Sequence, residues 1–144
     1  MSRTSATTSG RLSPAQPADG DRGVKRAVLL VDHGSRRKEA NAQLDTLARL
    51  VRARMPDRFV AAAHLELEPP SVNAGIDTCA AAGAEEIVIH PFFLAPGRHS
   101  AEDLPRLARE GSARHPGVSI RLGPPLGLHP RLVDAVLERI DESS

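Results

Sequence analysis

From Lys25 onward the chain alternates short apolar runs with segments of helical period. Residues 27–31 read AVLLV, a continuous apolar run that predicts a buried strand. Ala40, Leu44, Leu47, Val51 and Met55 then recur at steps of three and four, predicting an amphipathic helix. Residues 59–67 predict a second strand, and Val72, Ile76, Cys79 and Ala80 a second helix that ends near Gly83. Residues 87–89, extended towards Leu94, predict the third strand. Leu104, Leu107 and Ala108 mark a weaker third helix, with Asp103 as its cap and Pro105 in its first turn. Residues 118–122 alternate apolar and polar, as an edge strand does. Leu132, Val133, Val136, Leu137 and Ile140 predict a closing helix with Pro130 near its start. The order βαβαβαβα predicts an α/β fold: a parallel sheet of about four strands, helices on both faces, in a single domain.

The segment before this pattern is different. Residues 1–23 are rich in Ser, Thr, Pro and Gly, and Leu12 is their only long apolar side chain. Such a stretch buries too little surface to offset its ordering entropy, so residues 1–24 read as a disordered tail and 25–144 as the domain. An acid-free start carrying Arg3 and Arg11 faintly suggests a transit peptide, but no amphipathic face accompanies it and no apolar core suggests secretion.

Composition narrows the function. The formal charge of the 144 residues is +1, and the part after the tail has as many acidic as basic side chains. Neither general nucleic-acid binding nor a polybasic membrane anchor is expected from that balance. Trp and Tyr are absent, which argues against base stacking. Cys79 is the only cysteine, so no intrachain disulfide or cysteine-bound cluster can form, and its place on an apolar helical stripe reads as core. No apolar run approaches the ~20 residues that span a bilayer. A cytoplasmic protein is expected.

Ligands of open α/β sheets bind beyond the carboxyl ends of the strands. The histidines concentrate there. The first strand runs into Asp32-His33-Gly34-Ser35-Arg36, the second ends in His64-Leu65-Glu66, and the third leads to Pro96-Gly97-Arg98-His99. Strand alternation puts Val60, Ala62, His64, Glu66 and Glu68 on one side if the second strand stays regular, so His64 and Glu66 are expected to approach one ligand together. Imidazole with carboxylate suits a borderline divalent metal and also proton transfer near neutral pH. The alternative for each histidine is a loop-pinning bond to a backbone carbonyl, and for Glu66 a solvated surface position. His90, His115 and His129 read as structural. Arg36, Arg37 and Lys38 sit at the positive end of a predicted helix, which hints at an anionic ligand.

These segments carry a resemblance. VDHGSRRKEAN (residues 31–41), AHLELEPPS (63–71) and HPFFLAPGRHSAEDLP (90–105) are similar to the motifs of the short sirohydrochlorin chelatases of the CbiX and SirB type, in the same order and spacing. The resemblance implies a chelatase-like domain that inserts Co2+ or Fe2+ into sirohydrochlorin, for cobalamin or sirohaem synthesis, and works as a homodimer around the macrocycle. It carries the metal-site and catalytic roles to His33, His99 and Glu66. His64 matches a histidine of the branch with Asp before HGSR and joins the candidate metal ligands. Tetrapyrrole contacts fall to Arg36 and Arg98, whose charge suits a polycarboxylate, and to Gly34 and Gly97, where backbone can approach a flat ring. No cofactor beyond the metal substrate is expected, and no iron–sulfur cluster. One departure is that the family's LELAEPS reads Leu65-Glu66-Leu67-Glu68-Pro69-Pro70-Ser71 here, which displaces the second acid. Two other functions fit the same residues: a non-catalytic metal or tetrapyrrole carrier, and a phosphohistidine-type transferase, which the carboxylate of Asp32 beside His33 disfavours.

Overall fold

A computed structural model describes residues 25–144; the expected tail, 1–24, lies outside the described residues. Four strands and four helices alternate: β1 (Arg26–Asp32), α1 (Lys38–Arg54), β2 (Arg58–His64), α2 (Val72–Ala81), β3 (Glu86–Pro91), α3 (Arg98–Arg114), β4 (Ser119–Leu122) and α4 (Pro130–Glu142). The strands form one parallel sheet in the order β2-β1-β3-β4. β1 is central because residues 27–31 are buried on both faces, which suits only an interior strand.

Alternation along β1 divides the core. Ala27, Leu29 and Val31 join Val72, Ile76 and Cys79 of α2, Ile87 and Ile89 of β3 and Leu104 of α3. Val28 and Leu30 join Leu44 and Ala48 of α1 and Val60 of β2 on the opposite face. Helices therefore cover both faces, as the periodicity predicts. Burial pushes the Cys79 thiol up to about 11, in keeping with its core position. At the far end of α3, Asp77 Oδ1 accepts from His115 Nε2 at 2.7 Å and from Arg114 at 2.9 Å, tying α2 to α3. Those two bonds hold the Asp77 carboxyl below its usual range. Among the described residues no helix is long and apolar enough to cross a membrane.

Three boundaries differ from the sequence reading. β2 ends at His64 because Leu67 adopts a left-handed φ of 73° and the chain then enters Pro69-Pro70, so Glu68 does not continue the strand's alternation. β3 ends at Pro91, short of Leu94. α3 starts at Arg98 with Gly97 as its N-cap, six residues ahead of the expected cap Asp103. Its first turn is polar apart from Ala101 and so carried no apolar period. Pro105 consequently lies inside the helix, where its missing N–H leaves one carbonyl without a helical partner. α4 forms where expected, with Pro130 in its first turn, yet it buries none of its residues.

Candidate active site

The carboxyl edge of the sheet is built from the loops after β2, β1 and β3, which are adjacent because the strands are. The ladder between β1 and β2 runs past the last strand residues. Leu65 N–H donates to the Asp32 carbonyl at 2.9 Å and Glu66 N–H to the His33 carbonyl at 3.1 Å. His33 and Glu66 are thus backbone neighbours, and both side chains are exposed. The His33 ring stacks on Phe93, with centroids 4.4 Å apart and planes at 21°. Phe93 itself packs against the core on the α2 and α3 face, so this contact turns His33 towards that side.

His99 stands in the first turn of α3 and is exposed. Ser100, buried beside it, donates from Oγ to the Gly97 carbonyl at 3.1 Å and closes the turn. His99 thus belongs to the helix itself, ahead of the start that Asp103 as cap implies. His33, Glu66 and His99 therefore lie on three consecutive loop-to-helix junctions of one edge. Among the described residues no three His, Cys, Asp or Glu side chains are close enough together to hold a metal ion.

His64 is placed differently. It is 3% exposed, on the α1 face of β2, where the register sets it opposite Asp32. Its Nδ1 lies 2.6 Å from Asp32 Oδ1, the imidazole N–H donating to the carboxylate. The alternation that groups it with Val60 and Ala62 is real, but that face is interior while Glu66 is exposed.

Gly34 has φ +89°, and a Cβ there would overlap the Glu66 carbonyl oxygen, so the two loops touch through backbone. Asn41, 6% exposed, reaches back from α1: its Oδ1 accepts from Ser35 N–H at 2.9 Å and its Nδ2 donates to the Ser35 carbonyl at 2.7 Å. The contacts that Asn41, Phe93 and Asp32 make at this edge are ones the sequence reading did not assign. Of these, only Asn41 left a signal, as a polar residue on the buried stripe of an amphipathic helix.

Arg36 and Arg98 are exposed at the junctions after β1 and β3, and neither they nor Lys38 makes an ion pair among the described residues. Arg37 N-caps α1 without a side-chain bond and meets Glu39 only at 4.0 Å, with both side chains about 80% exposed. Space around Gly97 is open, the nearest atom to a Cβ being Ser100 Oγ at 3.8 Å.

The sequence pattern of CbiX matches residues 27–143. The chain belongs to the CbiX family. This CbiX-family chain is 38% identical over 113 residues to the chloroplastic sirohydrochlorin ferrochelatase of Arabidopsis thaliana, covering 78% of this chain and 50% of that one. It is 30% identical over 126 residues to the sirohydrochlorin cobaltochelatase of Methanococcoides burtonii, covering 82% and 96%. Among solved structures it is similar to the sirohydrochlorin chelatase SirB of Bacillus subtilis subspecies spizizenii in complex with cobalt. That match has a TM-score of 0.76 and 29% identity, over 83% of this chain and 51% of that one. The chain spans about half the length of the Arabidopsis and SirB proteins and nearly all of the archaeal one.

Proposed function

We propose that this chain is a sirohydrochlorin chelatase acting in the cytoplasm, with Co2+ or Fe2+ as its metal substrate and no resident cofactor. The observation that carries this is the presence of exposed His33, Glu66 and His99 on adjacent junctions of one sheet edge, in a chain of the CbiX family. Insertion exchanges one divalent ion for the two pyrrole N–H protons of the macrocycle. The ion must shed its ligands, so imidazoles and a carboxylate that face one edge without converging into a closed three-residue cluster serve better than a closed structural site. In this reading His33 and His99 hold the ion at the mouth of the edge and Glu66 offsets its charge. Arg36 and Arg98 take carboxylates of the macrocycle rim, and the open backbone at Gly97 leaves room for the ring plane. Removing residues 1–23 is expected to leave insertion almost unchanged, because they hold no periodic apolar residues. The test offers sirohydrochlorin with Co2+, Fe2+ or Ni2+ in turn under anaerobic conditions. Repeated turnover with Co2+ or Fe2+ is expected; stoichiometric binding without turnover would make the chain a carrier.

The working unit in this proposal is a homodimer. α4 leaves Val133, Val136, Leu137 and Ile140 exposed at 49, 50, 58 and 60%, an i, i+3, i+4, i+7 stripe that nothing among the described residues covers. Relatives about twice as long carry as much chain again, and a second copy supplies the equivalent here. Val136→Glu with Leu137→Glu is expected to convert a dimer into a monomer in sedimentation analysis and to lower insertion at micromolar protein. A wild-type chain that sediments only as monomer with substrate present would overturn the proposal.

A further inference from the structure

Resting on the reading of His33 as a metal-holding residue and of Glu66 as the carboxylate that offsets the ion's charge, we propose that Asp32 and His64 are positioning residues for these two. Their buried contact locks the loop that presents His33 to the loop that presents Glu66. Four observations meet at this contact. First, the Asp32 carboxylate accepts twice through Oδ1, from His64 Nδ1 at 2.6 Å and from Gly34 N–H at 3.0 Å. One oxygen therefore grips β2 and the residue immediately after His33. Second, the His64 backbone closes the base of the other loop, its main-chain N–H donating to the Pro70 carbonyl at 2.9 Å. Residues 65–69, with Glu66 among them, are thereby pinched into an excursion anchored on His64. Third, the two loops already touch where Gly34 faces the Glu66 carbonyl, and a Cβ on Gly34 would also lie 3.3 Å from the His64 Cβ. Fourth, His64 is buried and Asp32 partly so, their side chains being 3% and 21% exposed. A polar pair in that position gives up hydration and is retained at a cost unless its bond is made.

The consequence is geometric. His33 and Glu66 lie on separate loops whose spacing, without a cross-tie, would depend on two ladder bonds at the very end of a parallel pair and on the backbone contact at Gly34. The Asp32–His64 contact sits one residue inside those bonds and makes the separation a property of the core. Groups that orient metal ligands in this way typically carry ~10–100-fold in metal affinity although they never touch the ion.

The test uses the full chain, with Co2+ added in the absence of tetrapyrrole, and reads affinity and the cobalt ligand-field bands well below the melting temperature. His64→Leu and Asp32→Ala are each expected to lower Co2+ affinity ~10–100-fold and to shift or weaken the bands. The double variant should be no worse than the poorer single one, because the two act as a unit. His64→Asn places an N–H at the same bond count from Cα as Nδ1 and should recover most of the affinity. A contact serving stability alone would lower the melting temperature while leaving the affinity and bands of the folded protein unchanged, and that result overturns the inference. Should His64→Leu fail to fold, Asp32→Ala against His64→Asn makes the same comparison. His33→Ala and Glu66→Gln run alongside: if they too leave Co2+ binding unchanged, the assignment of the metal site fails instead.

Discussion

Replacing His33 or His99 by Ala is expected to lower metal insertion ~10²–10⁴-fold while leaving the melting temperature within a few degrees of wild type. The first part follows from position. Each imidazole is exposed at the same sheet edge, from junctions that follow β1 and β3, and neither belongs to a core cluster. The second follows from how little each ring supports. His99 occupies the first turn of α3, whose closure depends on Ser100 and Gly97 rather than on the imidazole. His33 loses only its stacking on Phe93, a contact worth about 1 kcal/mol. Affinity for the tetrapyrrole should survive better than turnover, because Arg36 and Arg98 are untouched. The measurement is initial rate against Co2+ concentration, beside macrocycle affinity and a thermal melt. Wild-type rates in a folded His33→Ala protein would make His33 a loop residue and move the site elsewhere.

The strands were readable because each is a compact apolar run, and their order along the chain implied a parallel sheet. What periodicity does not carry is what each face meets. α4 is as amphipathic as α1, yet α1 buries Leu44 and Ala48 against the sheet while α4 buries nothing. The same limit applied at the site. Alternation put His64 on the correct side of β2, but the interior nature of that side depends on α1, and its bond to Asp32 on the register of β1 with β2. Pairing across 32 residues leaves no local trace. The start of α3 carries no apolar period because Arg98, His99 and Ser100 are polar, serving an edge rather than a core. His99 is legible from its place after a strand and before a helix, a topological signal that does not depend on where the helix begins.

Gly34→Ala is expected to destabilise the chain by ~2–5 kcal/mol and to abolish insertion, the larger effect of the two loop glycines. The left-handed φ of +89° alone disfavours any residue with a Cβ. The space is also taken: that Cβ would coincide with the Glu66 carbonyl oxygen, which is backbone and cannot rotate away. Relief requires the loops after β1 and β2 to part. Parting them strains the Glu66 N–H to His33 carbonyl bond and the Gly34 N–H to Asp32 bond together. For a domain of this size the melting temperature should fall by about 10 °C or more. Gly97→Ala is the contrast. Its φ of −73° is ordinary, and no atom other than Ser100 Oγ, at 3.8 Å, comes within reach of a Cβ, so its melting temperature should change little. If insertion falls in Gly97→Ala without a change in melting, the open space there serves the macrocycle rather than the fold. A Gly34→Ala chain that melts with the wild type would mean that the two loops are not in contact, and the edge would lose the feature that brings His33 and Glu66 together.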